Sequence, residues 1–83
     1  MLQKRKAIVA GSFYDANKES LARQIKDCFL HEIGPGKLPD NDGKVERKTK
    51  GVVSPHAGFI FSGPIAAYNY LRLSEEEIPQ TII

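Results

Sequence analysis

One stretch of this 83-residue chain gathers what chemistry needs: Ser54-Pro55-His56-Ala57-Gly58-Phe59-Ile60-Phe61-Ser62-Gly63-Pro64. His56 is its reactive centre. An imidazole can ligate a metal, carry a proton or donate a hydrogen bond near neutral pH. It follows Gly51-Val52-Val53-Ser54, a short β-branched run that reads as a strand stopped by Pro55. The imidazole would then stand at the C-terminal edge of a strand, where open α/β sheets place their ligands. Pro55 stiffens the approach, and Ala57 and Gly58 leave little bulk around the ring. Pro64 reads as the first position of a helix, where its missing N–H costs nothing. The N-terminus of that helix would favour an anion near His56. A lone histidine is not a metal site, which needs at least three protein ligands at suitable spacing. On residue types alone, a hydrogen-bonded loop histidine is the commoner outcome, by about two to one.

The other reactive side chains have plainer readings. Cys28 falls on the apolar stripe of a helix, and a small buried hydrophobe explains it. His31 lies near that helix's C-terminus, where a cationic ring suits the dipole. Ser62 has no Asp-His pair to activate it, and capping the following helix accounts for it better. Asp40-Asn41-Asp42-Gly43 lacks the spacing and the distal Glu of a calcium loop and reads as a surface turn.

The elements that position these residues follow from periodicity and punctuation. Ala7-Ile8-Val9-Ala10 reads as an extended segment running into a turn at Gly11-Ser12. A helix is expected from about Lys18 to His31. Asn17 caps it, Glu19 suits its dipole, and Leu21, Ile25, Cys28 and Phe29 form one stripe to be buried against a sheet. Gly34-Pro35 ends it. Residues 34–50 are a polar connection, long enough to suggest a mobile excursion. A second helix follows with Pro64, Ala67, Tyr68 and Leu71 on one face. Ser74-Glu75-Glu76-Glu77 has capping-box spacing and predicts one further helical turn before Pro79. Thr81-Ile82-Ile83 reads as the first half of a buried strand. Strand, helix and strand in this order argue for a right-handed β-α-β unit of an α/β fold.

Composition bounds the rest. A hydrophobic fraction of 41% and a charged fraction of 27% are ordinary for a globular domain. Eighty-three residues allow one small core and not two domains. A net charge of +2 is too small to argue for nucleic acid, and no aromatics interleave with Lys4-Arg5-Lys6 or with Lys44, Arg47, Lys48 and Lys50. These basic clusters read as solvated segments. One cysteine excludes an internal disulfide. No run approaches a membrane span, and the N-terminus lacks a secretory core, so no membrane partner and a cytoplasmic location are expected.

Two motifs together carry a family resemblance. Ala10-Gly11-Ser12-Phe13-Tyr14 resembles the AGSFY opening of the MEMO-like proteins, also called AmmeMemoRadiSam system protein B. The stretch from Ser54 to Pro64 resembles their PHAGYxYSG signature, in the family's order and at its approximate separation. The resemblance covers essentially the whole chain but only the first part of a family member. It implies a three-layer α/β domain like that of the class III extradiol dioxygenases, with residues 1–83 as its N-terminal β-α-β part, cut within a strand. It also implies a pocket of two histidines and a cysteine that binds a transition metal such as iron, copper or zinc. By that resemblance His56 is the first histidine. The second follows the strand beginning at Thr81, the cysteine lies much further on, and neither is in this chain. Pocket aromatics of the family match Phe13 and Phe61. Relatives often carry Trp or Tyr there, so this chain lacks a polar N–H or hydroxyl at both places.

Two functions compete. The first is a metal-dependent redox or dioxygenase-like activity on an unknown substrate. The second is a non-catalytic module binding a peptide or anion and acting with protein partners. The family name implies radical-SAM and AMMECR1-like proteins among those partners. The remainder of the same domain is a further expected partner, because a buried strand would not normally end on Ile82-Ile83.

Overall fold

The computed structural model describes residues 3–40 and 45–83. Asn41, Asp42, Gly43 and Lys44, and with them most of the expected surface turn, lie outside the described residues. Two helices, α1 (Lys18–Leu30) and α2 (Phe59–Glu75), pack against each other and form the body of the fold.

The start of α1 is decided locally. Asn17 holds extended backbone, and its Oδ1 accepts from Glu19 N at 3.0 Å and Ser20 N at 3.1 Å. Such a cap contributes about 1 kcal/mol. The helix stops at Leu30, with His31 as its C-cap. His31 is held by an acceptor role, since its Nδ1 takes the N–H of Ile33 at 3.2 Å. Only half of the expected stripe is buried. Cys28 and Phe29 are in the core with Ala67, backed by Phe59 and Leu71. Leu21 is half-buried and Ile25 is 39% exposed. The buried end of the stripe is where α2 crosses. A Cβ on Gly63 would collide with Cys28 Sγ, so glycine is what lets the two helices approach so closely.

The second helix departs from its predicted start. It begins at Phe59, five residues ahead of Pro64, which sits inside it. The backbone of the first turn explains the shift. Phe13 O accepts the N–H of Phe59 at 2.8 Å, and Gly58 O accepts those of Phe61 and Ser62, both at 3.0 Å. The proline removes one backbone bond, to the carbonyl of residue 60. Ile60 lies on an exposed turn, where water can serve that carbonyl. Ser62 is therefore not the cap. Its hydroxyl donates back to Ala57 O at 3.1 Å, and Gly58 occupies the cap position. At the other end, α2 runs through Ser74 to Glu75 and no capping-box turn follows. Ser74 Oγ donates to Leu71 O at 2.6 Å within the helix.

The sheet expected of an α/β fold is absent among the described residues. Two isolated parallel bridges, Ala10–Tyr14 and Val45–Glu76, are the β pairings present there. Residues 51–54 and 81–83 form no ladder, because neither has a second extended segment beside it. Residues 45–50 are not a loose excursion either. The side chain of Glu76, only 2% exposed, draws them onto the end of α2. Its carboxylate accepts from Thr49 Oγ1 at 2.6 Å and from the backbone N–H groups of Lys48 and Thr49, each at 3.0 Å. Arg47 Nη1 lies 3.3 Å from it and Arg72 Nε 3.5 Å. Arg47 also donates to Leu73 O in the last turn of α2 at 3.0 Å and to Glu77 O just beyond the helix at 2.6 Å. Arg47 is thus half-buried and engaged, not one of a solvated cluster.

Two outcomes are expected. The Thr49 hydroxyl and N–H, with smaller help from Lys48 N–H and Arg47, lower the Glu76 pKa from 4.5 to about 2. A folded pKa below the unfolded one gives stability that is complete above about pH 4.5 and is lost as pH falls toward about 2. Urea denaturation of the wild type and Glu76→Gln at several pH values should show a gap that narrows through that window. A gap that does not change with pH would contradict the assignment. Gly63→Ala should lower stability by roughly 1–2 kcal/mol, overpacking outweighing the gain in helix propensity. Adding Cys28→Ala to Gly63→Ala should recover part of that loss in the same denaturation assay.

Candidate functional site

The site begins at the N-terminal turn. Val9 O accepts from Ser12 N at 3.0 Å, Phe13 N at 2.9 Å and Ser12 Oγ at 3.1 Å, winding the chain tightly around one carbonyl. Gly11, at φ +90°, gives its N–H to Tyr14 O and completes the reversal. The turn begins at Ile8, so the extended part of residues 7–10 is shorter than expected. Its product is an outward-facing carbonyl on Phe13, and that carbonyl takes the first N–H of α2.

The two motifs that stand far apart in sequence therefore meet. The ring of Phe13 lies edge-on to the imidazole of His56, with centroids 6.2 Å apart at 74°. Next to it, Tyr14 and Phe59 stack in a tilted pair at 5.4 Å. A Cβ on Gly58 would stand 3.2 Å from Phe13 O, so the residue between Ala57 and Phe59 has to be small for the turn to seat. His56 itself is exposed on the short connection between the extended segment and α2. Pro64 does not supply the helix N-terminus once expected beside it, and the Phe59 N–H at the true N-terminus is already given to Phe13.

The sequence-derived residues divide accordingly. Phe13 and His56 are brought together. Phe61 is 83% exposed on α2 and makes no ring contact with either among the described residues. No group of three or more His, Cys, Asp or Glu side chains gathers at one point among the described residues. Cys28 lies in the contact between the two helices. Burial pushes its thiol pKa up, Asp27 adds to the effect, and its sulfur faces Gly63 in the helix interface. An open groove of about 550 Å³ runs between the helices, lined by Arg23, Asp27, Cys28, His31 and Phe59 among others, and His56 is not on it.

Sequence reading missed the residues that hold the site in place. Glu76 sits in the run Glu75-Glu76-Glu77, where nothing distinguishes the member that turns inward. The spacing of Arg72 and Glu76 (i, i+4) was a readable sign of pairing. Asn69 in mid-helix was another. Its Nδ2 donates to Val53 O at 2.8 Å.

Comparison with known proteins agrees with the motif pair. A family model described as Memo-like protein matches residues 5–83. A MEMO1 family protein of Methanopyrus kandleri is 50% identical over 80 residues, covering 95% of this chain and 28% of the relative. One from Methanothermobacter thermautotrophicus is 46% identical over 79 residues, with the same shares. One from Thermotoga maritima is 48% identical over 84 residues, 96% of this chain and 29% of the relative. The chain thus spans less than a third of the length of these relatives. No solved structure matches it significantly. No helix among the described residues is long and apolar enough to cross a membrane.

The Phe13–His56 contact is open to a direct check. Phe13→Leu should move the imidazole ring-proton resonances of His56, while those of His31 stay in place as an internal control. His56 resonances that do not move would show that the rings do not meet in solution.

Proposed function

The chain belongs to the Memo-like family, and from that premise we propose that it supplies His56 as one ligand, and Phe13 as one wall, of a His/His/Cys transition-metal pocket. The observation that supports this reading is the convergence of the two motifs. The turn carrying Phe13 caps α2, and the segment entering α2 brings His56 into a T-shaped contact with that ring. An exposed imidazole flanked by an aromatic ring and small residues can accept a metal and a substrate beside it. The donor set is compatible with a metal but incomplete, since the described residues bring one imidazole and no second ligand to it. A second histidine and a cysteine would come from other parts of a protein of the relatives' length. Phe61, exposed on the outer face of α2, would be covered by those same parts.

Imidazole and thiolate donors suit iron, copper or zinc, and such an ion supplies Lewis-acid or redox chemistry when bound. The reading includes the α/β sheet and extradiol-dioxygenase-like frame that the family resemblance implies. The reaction class that goes with it is metal-dependent redox or dioxygenase-like, with radical-SAM and AMMECR1-like proteins as partners. Within it this chain's own residues have plain tasks. His56 would donate a lone pair to the ion. Phe13 restricts the ring's orientation and excludes water from one side. A peptide- or anion-binding role draws less support, because the first N–H of α2 is already given to the Phe13 carbonyl.

Metal analysis of the full-length protein tests the proposal. Wild type should carry a stoichiometric transition metal, and His56→Ala should lose it while keeping its circular dichroism spectrum. Equal metal content in the two proteins would overturn the reading.

A further inference from the structure

We propose that Asn69 is a positioning residue for His56, acting through the carbonyl of Val53; the assignment rests on the reading of His56 as a ligand. Asn69 lies in the middle of α2, where asparagine is a poor helix former and its side chain tends to seek backbone partners. It finds one outside the helix, donating from Nδ2 to Val53 O at 2.8 Å. No packing holds Val53, which is 95% exposed, so its backbone is tied by this bond.

The bond is placed to matter for His56. Downstream of the imidazole, the chain is fixed again where Phe59 N–H meets Phe13 O at 2.8 Å. On that side Ala57 O also accepts the Ser62 hydroxyl at 3.1 Å, so His56 is one residue from a downstream anchor and three from Val53 upstream, and residues 54–57 are exposed. Without the Asn69 bond the upstream anchor retreats to Thr49, held by Glu76. The two upstream anchors are in register. Asn69 and Glu76 are separated by two helical turns, about 10 Å. Val53 and Thr49 are four residues apart, which an extended chain spans in about 13 Å. Helix and segment run in opposite directions, so one face of α2 splints the segment up to the His56 connection.

The test uses the full-length protein, with cobalt(II) as the metal probe and NMR of the imidazole in the metal-free state. Asn69→Leu keeps the side-chain volume and removes the donor. Its metal-free His56 resonances should shift and broaden, and cobalt should bind roughly two- to tenfold more weakly, the range of one net hydrogen bond. The thermal midpoint should hold, and Asn69→Gln should restore part of the affinity and the resonance position. His56 resonances in Asn69→Leu identical to wild type would overturn the proposal. So would a loss of affinity that tracks a lowered thermal midpoint and is not rescued by Asn69→Gln. If wild type and His56→Ala bind cobalt alike, the metal reading fails by itself, and the imidazole resonances alone decide the role of Asn69.

Discussion

Burying the carboxylate of Glu76 constrains everything near it, because an ionised carboxyl taken out of water needs donors on both oxygens. It has them. Thr49 supplies a hydroxyl and an N–H, Lys48 an N–H, and Arg47 and Arg72 bring guanidinium groups close. No buried side-chain nitrogen or oxygen among the described residues lacks a partner. The donors come from an extended segment with no sheet neighbour. That segment therefore takes its course from a helix end instead of from a ladder. Arg47 reinforces the arrangement by covering the Leu73 carbonyl, one of the acceptors that the last turn of a helix leaves short of partners.

From that clamp the path to His56 is mechanical. Residues 47–49 are fixed at the C-terminal end of α2, Val53 near its middle, and Phe59 at its start. The N-terminal turn closes the other side, with its Phe13 carbonyl spent on the first N–H of the helix. One helix thus organises both motifs. It can do so only because Gly63 lets it lie against Cys28 of α1, which holds α2 in a fixed orientation.

What was legible in the sequence was local. Asn17 announced α1 because a cap is a contact over three residues. The family resemblance assigned Phe13 and His56 to one pocket, and in the structure their rings stand 6.2 Å apart. What escaped needed a partner remote in sequence. Pro64 looked like a helix start because proline at N1 is favourable, yet an acceptor 46 residues upstream of Phe59 set the start earlier. Ser74 looked like a cap because its spacing fits, yet the helix had not ended. The run Glu75-Glu76-Glu77 read as part of one further helical turn, and its central member is the buried one. The expected strands around Val52 and Thr81 could not be judged locally at all, since a strand exists only with a neighbour.

The apolar surface of α2 bears on the site as well as on the fold. Ala67 and Leu71 serve the contact with α1, and Tyr68 donates its hydroxyl to Gly34 O at 2.8 Å, while Phe61 and Ile65, four residues apart, lie on another face and are 83% and 49% exposed. A helix apolar on more than one face belongs in an interior. Ile60 and Val53, 82% and 95% exposed, add further uncovered apolar surface. In a protein of the relatives' length, whatever covers Val53 would lie three residues along the chain from the imidazole. On the proposed reading, further ligands carried there would arrive by the same apolar burial that completes the core. Metal binding would then depend on the packing of α2 as directly as on His56 itself, since a shift of the helix would carry both anchors of the His56 connection with it.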